Sequence, residues 1–203
     1  MLFLAFILGF TSSYLGTIAP SMLNITVTKI SIERDRKTAI HFAIGVSLIV
    51  LIQCYLALLF LTVITSNPFI LETIQSISIV IFAVLSLVFL RMGMREKKEI
   101  APKKIRTNGF FTGIGLSLMN MFSIPFYCGT AAAFSIQGWL ALDPSSMLFF
   151  VVGSSLGTCT ILYHYAVLAE KIKPKLTKIS SYLNYFLSLV TGMAAIVSLL
   201  HLL

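Results

Sequence analysis

The sequence predicts an all-α integral membrane protein of six transmembrane helices, arranged as two inverted three-helix repeats with both termini outside. Three observations predict it: the apolar composition, the placement of the charges, and an internal likeness between the two halves. Of 203 residues, 58% are hydrophobic and only 11% are charged, against roughly 25% in a soluble domain. A water-facing shell cannot be assembled from 15 basic and 7 acidic side chains. That argues against a soluble enzyme, a nucleic-acid binder and a secreted disulfide scaffold.

The charges divide the chain. Uncharged runs occupy 1–28, 38–71, 73–90, 107–142, 144–169 and 179–203. About 20 apolar residues cross a bilayer core as helix, so each run holds one span. The spans are placed near 2–27, 38–64, 71–92, 109–136, 145–169 and 179–202. The chain 1–203 is therefore read as a single transmembrane domain, with repeat one at 1–92, a basic cytoplasmic loop at 93–108 and repeat two at 109–203.

All the Lys and Arg residues fall between spans one and two, at or between spans three and four, and between spans five and six, in numbers of 4, 7 and 4. The two remaining loops hold only Glu72 and Asp143, read as solvated loop charges. Basic residues stay on the cytoplasmic side, so the alternation puts both termini outside. The net charge of +8 thus fixes orientation and meets anionic headgroups; it does not mark a nucleic-acid surface. The start Met1-Leu2-Phe3-Leu4 lacks a basic n-region and is read as a retained span. Cys54, Cys128 and Cys159 lie inside spans at spacings that match no zinc or redox motif, and are read as apolar filler.

The halves resemble each other. Phe42-Ala-Ile-Gly45-Val-Ser47-Leu48 answers Phe150-Val-Val-Gly153-Ser-Ser155-Leu156, and with Tyr55 and Tyr163 this gives five identities in 14 positions at a shift of 108. Phe6-x-x-Gly9 answers Phe110-x-x-Gly113, and Pro20 answers Pro125 with one inserted residue. Three spans per half is an odd number, so the second half enters the membrane inverted, an architecture of transporters. Gly109-x-x-x-Gly113 and Gly153-x-x-x-Gly157 are read as close helix-packing motifs.

Spans one and four each carry an internal proline among Gly, Ser, Thr and Asn. Proline lacks the N–H and clashes with the preceding turn, so each helix should kink or break. Freed carbonyls and helix N-termini must then face the protein interior, where a helix N-terminus attracts a carboxylate. The expected substrate path comprises Gly16, Thr17, Pro20, Ser21, Asn24, Asn120, Ser123 and Pro125. No Asp, Glu, Lys or Arg lies in the middle of any span, which removes the paired carboxylates of an enzyme and the buried charges of a proton relay. His41, His164 and His201 lie toward span ends and are read as interfacial. No metal site, catalytic residue or cofactor is expected.

The whole chain resembles the lysine-exporter (LysE-type) translocators of bacteria. The resemblance rests on the Gly and Pro-containing first span, Phe42-x-x-Gly45 in the second, the long basic loop after the third, the spacing around Gly113 and Asn120, and Gly153-x-x-x-Gly157 in the fifth. It implies a six-helix, multi-pass fold in the bacterial inner membrane. It also implies export of amino acids or related metabolites driven by a proton or ion gradient. The family's first span usually shows Pro-Gly-Pro, of which only Pro20 carries over; its fourth usually shows Asn-Pro, here Asn120 with the proline displaced to Pro125. Many members carry an acid in span two, where Ser47 to Gln53 has none. That favours a neutral amino acid over lysine. The alternatives are a metal-ion or small-solute exporter or channel on the same fold, and a non-transporting membrane scaffold. The partners expected are a small-molecule substrate and the lipid bilayer, without nucleic acid; the sequence leaves homo-oligomer formation open.

Overall fold

The computed structural model describes residues 1–18, 21–66, 108–120 and 122–171, with isolated helical positions among 83–94 and 188–196. Apart from those positions, the expected spans 71–92 and 179–202 lie outside the described residues. Every regular element described is a helix: α1 (Leu2–Ile18), α2 (Met22–Glu33), α3 (Arg36–Ser66), α4 (Gly109–Leu118), α5 (Ser123–Ile136) and α6 (Pro144–Val167). The chain divides into two compact units, Met1–Val63 with Ile105–Pro174, and Ile64–Lys104 with Lys175–Leu203. In the second, Ser86 Oγ donates to the Ser188 carbonyl at 2.9 Å and Ser188 Oγ donates to the Ser86 carbonyl at 3.0 Å. All six helices except the last residues of α3 belong to the first unit.

Two helices, α3 and α6, are each long and apolar enough to cross a membrane; α1 with α2, and α4 with α5, meet the same test as bent pairs. The 31 residues of α3 extend about 46 Å, more than the roughly 30 Å of a bilayer core. That length is enough to cross the apolar layer with some tilt. One face of α3 leaves Ile44, Leu48, Leu51, Ile52, Leu59 and Phe60 exposed, while Phe42, Val46, Cys54, Ala57 and Leu58 are buried. Large apolar side chains on the outside are what lipid, unlike water, tolerates.

Acidic side chains start both spans. Asp35 accepts from the Thr38 N–H at 2.7 Å and from Thr38 Oγ1 at 2.8 Å. Asp143 accepts from the Ser145 and Ser146 N–H groups, both at 3.1 Å, with Pro144 opening the helix. Each satisfies N–H groups that a helix start leaves orphaned. The bonds from Thr38 hold the Asp35 carboxyl below its ordinary value, and those from Ser146 do the same for Asp143. Asp143 is thus a helix cap as well as a loop charge. In the last turns of α2, Lys29 pairs with Glu33 at 3.4 Å.

The helices meet along two glycine seams. A Cβ on Gly9 would collide with the Phe150 carbonyl, one on Gly153 with that of Phe6, and one on Gly157 with that of Phe10. Helices α1 and α6 therefore touch backbone to backbone and run parallel. The same holds for α3 and α4, where Gly45 faces the Phe110 carbonyl, Gly109 that of Thr38 and Gly113 that of Phe42. The contacts correspond: Gly9 on Phe150 recurs as Gly113 on Phe42, and Gly153 on Phe6 recurs as Gly45 on Phe110. The GxxxG spacing in the sequence signals close approach; the structure identifies the partner of each motif. Between the seams, Ser155 Oγ donates to the Ser47 carbonyl at 2.8 Å.

Candidate functional site

Two helices are interrupted, as their composition predicts. The axis turns by 75° between α1 and α2 and by 68° between α4 and α5. Each interruption ends one helical ladder and frees carbonyls that need donors. In lipid those donors must come from the protein.

At the first break, Asn24 is fully buried and its Nδ2 donates to the Thr17 carbonyl at 2.7 Å. The Ile18 carbonyl accepts from Tyr165 Oη of α6 at 2.8 Å. Ser21 Oγ donates to Asn24 Oδ1 at 3.3 Å. Thr17, Ser21 and Asn24, all expected on the path, therefore converge here; Pro20 lies outside the described residues. Span one was expected to end near 27. Its second segment instead runs helically to Glu33, past Lys29, because α2 packs on α6 and carries its own ion pair.

At the second break, α4 ends at Leu118 and α5 begins at Ser123. The Asn120 N–H donates to the Ser117 carbonyl at 3.0 Å, and the Ser123 N–H to the Asn120 carbonyl at 3.4 Å. Pro125 sits in the first turn of α5, where its missing N–H costs no ladder bond. The interruption thus precedes the proline by a few residues. Ser123 is buried, Asn120 half-buried and Pro125 exposed. The Ser117 carbonyl also accepts from Gln53 Nε2 of α3 at 3.0 Å.

Gly16 links the two places. A Cβ there would enter the Phe126 ring, and Phe126 adjoins Pro125. One turn back, Ser13 Oγ lies 2.8 Å from Tyr127 Oη and 2.7 Å from Thr158 Oγ1, with Tyr127 Oη 3.5 Å from Thr158 Oγ1. All three are buried, so a closed triangle of hydroxyls ties α1, α5 and α6 together. Sequence reasoning missed this triangle, Gln53 and Tyr165. One signal was present: Ser13 follows Gly9 by four residues as Ser117 follows Gly113, on the same helix face.

His164 is half-buried, its Nδ1 3.1 Å from Tyr14 Oη and its ring edge-on to that tyrosine at 6.0 Å. His41 is exposed. A separate cavity of about 340 Å³ lies between the α2–α3 turn and the end of α6, with Ser31, Arg36, Glu170 and Lys171 among its lining. Among the described residues, no three His, Cys, Asp or Glu side chains are grouped to hold a metal ion. No charged side chain among them lies at either break. The residues described there offer hydroxyls, amides and carbonyls.

The family model for the LysE type translocator matches residues 14–201. No curated protein and no solved structure matches the chain.

Proposed function

The chain belongs to the LysE type translocators, and from that premise we propose that it is a secondary transporter exporting amino acids or related small metabolites across the bacterial inner membrane. Neutral amino acids are its preferred class. The observation that carries this reading is the meeting of two broken helices at the exposed Gly16 and Phe126, next to the buried hydroxyls of Ser13 and Tyr127. A zwitterion needs an acceptor for its ammonium and donors for its carboxylate. Side-chain oxygens at the breaks and the start of α5 provide both without a buried charge. A cationic side chain would find no counter-ion at either break among the described residues.

The orientation follows from the basic residues, which put Lys29, Arg34, Arg36, Lys37 and Lys171 on the cytoplasmic side and both termini outside. The 340 Å³ cavity beside Arg36 and Lys171 then lies at the cytoplasmic end, where an exported solute enters. Six spans as two inverted repeats account for the corresponding glycine seams: two halves of opposite orientation can trade packing and open the site to either side. The residues proposed to line the path are Gly16, Thr17, Ser21, Asn24, Asn120 and Ser123, with Pro20 and Pro125 bounding it.

The experiment that tests this is an efflux screen. Cells are preloaded with dipeptides, and release of each amino acid is followed with and without a protonophore. Overexpression should speed release of at least one neutral amino acid, and the protonophore should abolish the gain. Unchanged release of all of them would end the exporter reading.

A further inference from the structure

We propose that Gln53 Oε1 is the acceptor for the ammonium group of the transported solute at the second helix break. This inference rests on the exporter reading above. Gln53 is 8% exposed, on the inner face of α3. Its Nε2 is committed to the Ser117 carbonyl at 3.0 Å. Its Oε1 is buried and accepts from nothing among the described residues. The amide cannot be turned over to cure this, because the Ser117 carbonyl only accepts and holds the nitrogen side.

A buried carbonyl without a donor carries the full desolvation cost of the group. Among the described buried side chains it is the one polar atom left in this condition. The hydroxyls of Ser13, Tyr127 and Thr158 are mutually satisfied, and Asn24 is committed at both ends of its amide. Gln53 shares its acceptor, the Ser117 carbonyl, with the Asn120 N–H, so the orphan oxygen is anchored directly to the interruption of the second broken helix. A primary ammonium fits it: three donors, a compact head and a charge that strengthens a bond to a neutral carbonyl. The amide also explains the class of solute. A neutral acceptor holds one ammonium whose charge the solute's own carboxylate balances, and gives no compensation to a second cation.

The test measures uptake of radiolabelled leucine, threonine and lysine into inverted membrane vesicles carrying wild type, Gln53→Met or Gln53→Glu. Folded protein is counted by fluorescence-detected size exclusion. Both variants lose the bond to Ser117, but only Glu retains an acceptor. Gln53→Met should raise KM for the neutral amino acids about tenfold or more, the loss of one charge-assisted hydrogen bond. Gln53→Glu should stay within about threefold of wild type. An unchanged KM in Gln53→Met overturns the proposal, as does an equal loss in both variants, which would assign Gln53 to bracing α4. Should Gln53→Met not reach the membrane, 4-methylpentanoate decides on wild type alone. This amine-free analogue of leucine should compete at least tenfold more weakly, and equal competition refutes recognition of the amine. Wild-type vesicles inactive on every amino acid would instead overturn the exporter reading, and this inference with it.

Discussion

At the break between α1 and α2, the freed carbonyls are met from both sides of the turn: Asn24 returns to Thr17, and Tyr165 reaches Ile18 from α6. At the break between α4 and α5, the Ser117 carbonyl receives a backbone N–H and a glutamine from α3 whose own oxygen is left unmet. The two interruptions have similar bends and are flanked by corresponding glycine seams. They differ in the side chains described there: the Asn24 amide is partnered at both ends, whereas the Gln53 oxygen is not. A partnered group takes a ligand only by giving up a bond. An unpartnered one has capacity left over. Two interruptions of similar backbone shape can therefore divide mechanical and recognition roles by side-chain chemistry alone.

The likeness of the seams can be broken first, and with the largest effect. Gly113→Val and Gly153→Val should each abolish folded protein, because the new side chain meets backbone and not a movable side chain. Size exclusion of fluorescent fusions reads this directly, and survival of one variant alone would show that the seams are unequal. The contrast between the two amides comes next. Asn24→Leu strands the Thr17 carbonyl and the Ser21 hydroxyl, and should cost about 1–3 kcal/mol, seen as a lowered melting temperature in detergent. Gln53→Met removes an unmet oxygen along with a useful donor, so it should cost clearly less. Equal losses would erase the distinction between the breaks.

A smaller effect is expected at the hydroxyl triangle. Ser13→Ala and Tyr127→Phe should each cost about 0.5–1.5 kcal/mol. In the double variant the costs should fall short of additivity, because both substitutions break the same bond. The smallest effect is at the cap of α3. The folded Asp35 carboxyl lies below its ordinary 3.8, so its contribution is fully present above that pH and is lost as pH falls through the lowered value. Melting temperature against pH should show Asp35→Asn lower than wild type near neutrality and converging with it in acid.

The long spans were legible because charge ends them: 38–64 and 145–169 were expected, and Arg36–Ser66 and Pro144–Val167 are found. The broken helices were legible from Pro among small polar residues, although Pro125 lies in the first turn of α5 and not at the break itself. Close approach was legible from the glycines. The partner of each glycine was not, and neither was the hydroxyl triangle, because Ser13 and Thr158 are 145 positions apart and no periodicity links them. The continuation of α2 to Glu33 was hidden because hydropathy reports lipid contact, whereas α2 is stabilised by its packing on α6.

The contact between Ser155 and Ser47 has one more consequence. The two serines correspond at the shift of 108 that relates the halves, so each is the other's counterpart. Yet the bond is one-sided: Ser155 Oγ donates to the Ser47 carbonyl, while Ser47 Oγ turns back to the Ala43 carbonyl at 2.8 Å. In the exchange of roles proposed above for the two halves, the second arrangement has Ser47 donating and Ser155 turning back. On that proposal the direction of this single bond labels the state, and an infrared probe placed on it would read the cycle as a left-or-right switch.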